Sequence, residues 1–398
     1  MRHFDLRKCA LLLACLLVLS ACAANSSGIQ PTASLPNVQS VTTPLAVIAG
    51  STVASRVPSA TPIAMTLKIE RTGDISGSIQ VSPVADMALG DGYVYWVSFA
   101  MHNRLYATSL TTGKTGLITQ TNAAGAFITY LKVSVDGTWL RYMELTQGNS
   151  WILHAMRLRD FQDIVVYDMI HVQAGQEVSF LPDADVSDDQ MVIARQTSGS
   201  NPKCNDSILE IVNLQTGTHR VLDRACSTTE HTWSTSNIVG NTILAGQDTP
   251  PAKGDSHSVF RINARTNSST KISGDQTATM PELSNRYAVW KVGPRYDPAL
   301  FVSAYNLQTG QIKTFDQPAR GTADPHVDGK WLYWIPLSHQ EFVVRDLDTD
   351  QLLTVATLRG TEIVRSVIVH NRMIAWVRDP DFPNLPQRAF IEWRMLPN

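Results

Sequence analysis

Glu282, Asp324 and His326 are the residues of this 398-residue sequence whose types and spacing best suit chemistry. Two carboxylates beside an imidazole could bind a cation, polarise a substrate or move a proton, because histidine titrates near neutrality and a carboxylate can charge and orient it. Lys132 and Asn237 could join the same group as a cation and an amide. No local signature competes with this set. There is no His-Glu-x-x-His pair, no Gly-x-Ser-x-Gly elbow, no Gly-x-x-x-x-Gly-Lys-Ser/Thr phosphate loop and no Cys-x-x-Cys metal spacing. Neither a metal nor an organic cofactor is therefore expected. Asp183, Asp185, Asp188 and Asp189 form the densest acidic cluster but lack the glycine and terminal glutamate of a calcium loop, so they read as a solvated turn.

The elements that must position these residues are strands. From Pro62 onward no 3.6-residue period emerges; instead, short runs rich in Val, Ile, Tyr and Trp alternate with turn residues. A first hairpin turn recurs at Gly92, Gly137, Asp189, Gly240, Asn285, Gly329 and Asn371, at steps of 42 to 52 residues. A second recurs at Leu110–Gly113, Leu214–Gly217, Leu307–Gly310 and Leu347–Asp350. Four antiparallel strands per unit, repeated at this period, predict an all-β fold, a β-propeller spanning 62–398. Seven turns predict seven four-stranded blades; six or eight stay open because the third and fourth units carry insertions. The last unit stops one strand short, and an N-terminal strand, Ala64–Arg71, is expected to complete it and close the ring.

Aligning the units places Leu89, Ser134, Val186, Asn237, Glu282, His326 and Ile368 at one level of the innermost strands. Met87, Lys132, Ala184, Thr235, Met280, Asp324 and Ser366 stand two residues earlier, on the same face. The central opening would then gather Lys132, Asn237, Glu282, Asp324 and His326. Trp96, Trp290, Trp334 and Trp376 share one strand position and are expected to pack between blades. Cys204 and Cys226 flank the Leu214–Gly217 turn almost symmetrically, so a disulfide is expected there, contributing about 3 kcal/mol.

The amino terminus carries an address. Arg2, Arg7 and Lys8 precede an apolar run, Cys9–Leu19, too short to span a bilayer, which needs about 20 residues. Leu19-Ser20-Ala21-Cys22 resembles the bacterial lipobox. That resemblance implies removal of 1–21 as a signal peptide, lipidation of Cys22, and attachment to the bacterial cell membrane on its extracytoplasmic face. Residues 22–61 then form a flexible tether, since 24 of the 40 residues from Ala23 to Pro62 are Ala, Ser, Thr or Pro.

Val133–Gly137, Pro325–Lys330 and the Thr-Gly turns resemble the repeats of TolB-like and WD40-like propellers. The Gly-His and Trp-Asp dipeptides of WD40 repeats are missing, so the resemblance implies a fold and no activity. Tyr106–Lys114 looks like a quinoprotein repeat, but Ser109 stands where that repeat has an aspartate, and no quinone is carried over. A formal net charge of −2 offers no basic surplus for nucleic acid. The expected function is a binding or scaffold module for an envelope protein, peptide or glycan. The alternative is an extracytoplasmic hydrolase or lyase of polysaccharide or peptide, with Glu282, Asp324 and His326 as acid and base.

Overall fold

β-Branched and aromatic residues alternating with short polar turns fold here into seven antiparallel sheets. The computed structural model describes residues 65–397 except 67–68, 74–75, 91, 122–124, 147–149, 171–179, 199–203, 251–255, 294–300, 317–324, 335–340, 361 and 381–387. Cys22, the signal and tether (1–61) and Asp324 lie outside the described residues. The sheets are the seven blades of a β-propeller, and no helix occurs among the described residues. The innermost strands, from blade 1 to blade 7, are Val84–Gly90, Phe127–Val133, Asp183–Ser187, Thr232–Val239, Ala278–Leu283, His326–Asp328 and Ile363–His370.

The ring closes on an N-terminal strand, but not on the one expected. Ser76–Val81 forms the outer strand of blade 7, with Ser76 opposite Arg394 and Val81 opposite Ala389. The Ala64–Arg71 stretch lies further out: Met65–Thr66 pairs with the outer strand of blade 1, and Ile69–Gly73 pairs with Ser76–Val81. Ile79 and Val81 of the closing strand are buried in the apolar cluster that joins blade 7 to blade 1.

Seven apolar clusters fill the seven blade–blade interfaces. Trp96, Trp290, Trp334 and Trp376 each lie buried in one of them. Packing between blades is thus their role, and each ring contributes a large apolar area to it. Cys204 and Cys226 are joined in a disulfide, with Cα atoms 5.6 Å apart, at the open end of the outer hairpin of blade 3.

Hydrogen bonds near the axis also tie blade 1 to blade 2 and link blades 3 to 7 in succession. Asp86 accepts the Leu131 amide at 3.0 Å, Asp183 the Ser236 amide at 2.9 Å and Asp185 the Ile238 amide at 3.1 Å. Asn237 donates Nδ2–H to the Pro281 carbonyl, and Ser284 donates to the Gly329 carbonyl. Asp328 accepts from the backbone of Asn371 and Arg372, in the first turn of blade 7. Short polar side chains on inner strands therefore fix the rotation of one sheet against its neighbour, while the apolar clusters supply the bulk attraction.

Asp328 gives this stitching a pH dependence. Burial raises its pKa to about 6 from an ordinary 3.8, although the two amides favour its anion. The folded state therefore holds the proton more tightly than the unfolded chain, so this group's contribution to stability is full below about pH 4 and lost as pH rises through 6. Urea unfolding of Asp328→Asn should lack the wild-type decline between about pH 4 and 6 and match or exceed wild-type stability at pH 7. Identical profiles would contradict the raised pKa of Asp328.

Candidate functional site

The register of each inner hairpin fixes which side chains reach the axis. Two residues before the last pair of each hairpin stand Ala88, Lys132, Asp185, Asn237, Glu282, His326 and Ile368. Four positions of the expected ring hold, while Leu89, Ser134 and Val186 give way to Ala88, Lys132 and Asp185. Polar residues thus occupy blades 2 to 6 and apolar residues occupy blades 7 and 1.

Lys132 crosses the opening. Its ammonium donates to Asn237 Oδ1 at 2.7 Å and to Glu282 Oε2 at 3.2 Å, and pairs with Asp185 Oδ2 at 3.2 Å. The ammonium thus hydrogen-bonds oxygens from blades 4 and 5 and forms an ion pair with a carboxylate from blade 3. Glu282 extends the chain through Oε1, 3.4 Å from His326 Nδ1 on blade 6. The His326 ring stacks on Tyr333 with centroids 5.4 Å apart.

Two bulges bring these groups inward. Tyr130 and Leu131 face a single residue of the next strand in blade 2, and Met280 and Pro281 do so in blade 5. Tyr130 and Met280 adopt positive φ, 55° and 52°, and each precedes its hub residue, Lys132 or Glu282, by two positions. An extra residue at these points re-aims the strand, a common use of bulges near sites. Close approach at Gly246 helps too: a Cβ there would collide with Thr235 Oγ1 on the mouth wall.

Above the hub lies a cavity of about 430 Å³, within the range of small-molecule sites. Tyr130, Lys132, Arg141, Leu181, Asp183, Thr235, Asn237, Glu282 and His326 are among its walls. Arg141 comes from the second strand of blade 2, opposite Lys132. It is only 8% exposed, and its Nε has no hydrogen-bond partner among the described residues.

Charge here is mutually compensated. Burial opposes ionisation of Glu282, but Lys132 and His326 outweigh it and hold the carboxyl at about 2. Burial likewise opposes the charge on Lys132, yet Asp185 and Glu282 keep its pKa above the ordinary lysine value. Asp183 and Asp185 are pushed up by burial, against the pull of Lys132 and Arg141.

The structure therefore gathers Lys132, Asn237, Glu282 and His326; Asp324 lies outside the described residues. Sequence reasoning missed Asp185 and Arg141. Asp185, read as part of a solvated turn, is 2% exposed; Asp188 alone of that cluster is fully turn-exposed, at φ 50°. The signal available was alternation: Asp183 and Asp185 share a face, and Asp188 marks the turn. His231 and Trp233 both bond Asp223, at 2.8 Å, away from this group. Among the described residues no group of three or more His, Cys, Asp or Glu is arranged to hold a metal.

No family model matches the sequence, and no curated protein does. Solved structures do resemble it. An oligogalacturonate lyase in complex with manganese is 14% identical, with a TM-score of 0.54 over 85% of this chain and 98% of that one. An oligogalacturonate lyase from Vibrio parahaemolyticus is 11% identical, with a TM-score of 0.57 over 85% and 99%. The β-propeller domain of the Trilobed protease from Pyrococcus furiosus is 9% identical, with a TM-score of 0.53 over 82% and 97%. At these identities the likeness is one of fold.

Replacing Lys132 with methionine would strand the buried carboxylate of Asp185 and the half-buried one of Glu282. Lys132→Met should cost about 3–5 kcal/mol in urea unfolding at pH 7, the usual penalty for breaking a buried pair, with a smaller deficit below about pH 4. Adding Asp185→Asn and Glu282→Gln should recover most of that loss. A single variant within about 0.5 kcal/mol of wild type would contradict the hub.

Proposed function

We infer that this protein is a lipid-anchored extracytoplasmic binding module, whose propeller mouth engages an envelope protein, peptide or glycan. The observation that carries this reading is the mutual pairing of Lys132, Asp185, Glu282 and His326 in the hub. Catalysis asks for an acid and a base with pKa values near the working pH. Glu282, held at about 2, is neither a proton donor at neutrality nor a strong base. Lys132 is held by two hydrogen bonds and an ion pair. Such a network is rigid and pre-organised, which lowers the entropic cost of ligand binding. The anchor rests on the Leu19–Cys22 motif, and the tether on the composition of 22–61.

The second reading is a hydrolase or lyase acting on polysaccharide or peptide. One observation favours it: Glu282 lies behind a partly exposed His326, the arrangement in which a carboxylate orients an imidazole. Two of the solved structures of similar fold are also named as lyases.

Both readings place the ligand at the mouth, so a variant that fills it is the test. Immobilised wild-type protein should retain a component of solubilised envelope, and Ser234→Trp, which puts an indole into the cavity wall, should lose that retention with little change in thermal midpoint. Equal retention by the two proteins would overturn the mouth as the site. In cells, Cys22→Ala should move the protein from the membrane to the soluble fraction. If the retained material is instead turned over, and Glu282→Gln and His326→Ala abolish that turnover, the enzyme reading replaces the binding one.

A further inference from the structure

Ten buried side-chain atoms lack hydrogen-bond partners among the described residues, and three of them cluster at the axis: Arg141 Nε, Thr235 Oγ1 and Asp185 Oδ1. Arg141 and Thr235 line the cavity itself. An unsatisfied buried polar atom costs about 1–3 kcal/mol, more when charged, so a cluster of them marks a place where something else completes the bonding. Arg141 is the clearest case. Its guanidinium feels the charges of Asp86, Asp183 and Asp185, yet it has no hydrogen bond to any of them among the described residues. Positive and negative groups thus face one cavity at a separation too large for direct contact.

The chemistry of the ligand follows from that arrangement. An anion would satisfy Arg141 but meet Asp183 and Glu282, and a cation would satisfy Asp183 but meet Arg141 and Lys132. A hydroxyl both donates and accepts, so it can bridge a guanidinium and a carboxylate at once. Several hydroxyls on one rigid ring would serve Arg141, Asp183 and Thr235 together. The rim adds a second feature. Tyr130, 47% exposed, lines the cavity from a backbone position at φ 55° that tyrosine seldom adopts. A phenol ring held there despite the strain offers a flat apolar face with a polar tip.

We propose that the mouth takes a neutral saccharide, with a sugar ring face against Tyr130 and its hydroxyls bridging Arg141 and Asp183. This rests on the reading of the mouth as a ligand site and narrows it to one ligand class. The charged hub below then acts as a floor that orients Asn237 and Glu282 toward the remaining hydroxyls.

The test has two arms. In the first, envelope extract is treated with periodate, which cleaves vicinal diols, or with a broad protease, before it meets immobilised protein. Mouth-dependent retention should vanish after periodate and survive protease. The opposite pattern would overturn the saccharide while leaving the mouth as the site, whereas retention that ignores Ser234→Trp removes the site itself. In the second arm, an array of neutral, acidic and amino-sugar oligosaccharides is probed with the purified protein. Neutral members should bind, and Arg141→Gln should weaken them by about tenfold, the weight of one charge-assisted hydrogen bond. Tyr130→Gly removes the ring at a position where glycine is free of strain, so it keeps the test valid if Arg141→Gln folds poorly. Loss of binding in Tyr130→Gly supports the proposal. No neutral member bound, or unchanged binding in both variants, would overturn it.

Discussion

A single ammonium group near the axis sets the terms for the rest of this propeller. Lys132 leaves blade 2 and is met by oxygens from blades 3, 4 and 5. A charge largely withdrawn from water is tolerable only when its donors are matched and opposite charge lies close. That requirement fixes more than the lysine. Asp185 must stay at the inner face of a strand whose neighbours are apolar, and Glu282 must reach inward from a bulge that carries a strained Met280. The opening consequently ends in a polar floor, and what remains above it is a pocket.

The attraction that holds the blades is mostly elsewhere. Seven apolar clusters, one at each interface, remove large side chains from water, and the closing strand Ser76–Val81 lets the seventh cluster form between the ends of the chain. Hydrophobic contact is tolerant of small rotations, whereas a carboxylate accepting one particular amide is not. The inner-strand hydrogen bonds, including those of Asp86, Asp183, Asp185 and Asp328, therefore act as a register for surfaces that would otherwise slide. Buried polar groups of this kind contribute less to net stability than to the uniqueness of the arrangement, and here the arrangement is what shapes the mouth.

Much of this was legible in the residues. Turn spacing revealed the blades, and the tryptophans of the second strands revealed the interfaces, because both follow from local rules that repeat. Three axial positions were misjudged for a geometric reason. The alignment used one turn residue per unit, and in blades 1 and 3 that residue, Gly92 or Asp189, is the second of its turn, whereas Gly240, Gly329 and Asn371 are the first. A one-residue slip exchanges the faces of a strand, so Leu89 and Val186 stood in for Ala88 and Asp185. In blade 2 a longer turn between Ser134 and Trp139 moved the level by two, replacing Lys132 with Ser134. Arg141 was hidden more deeply, since it lies on a second strand, opposite Lys132 and beside a bulge. No spacing rule announces a bulge.

The central claim, an ammonium held at the axis by partners from three blades, can be observed directly. Nitrogen-edited NMR of the lysine side chains should show one ammonium whose protons exchange slowly with water, persist from about pH 5 to 9, and disappear in Lys132→Met. A Lys132 ammonium whose protons exchange as fast as those of surface lysines would contradict the account.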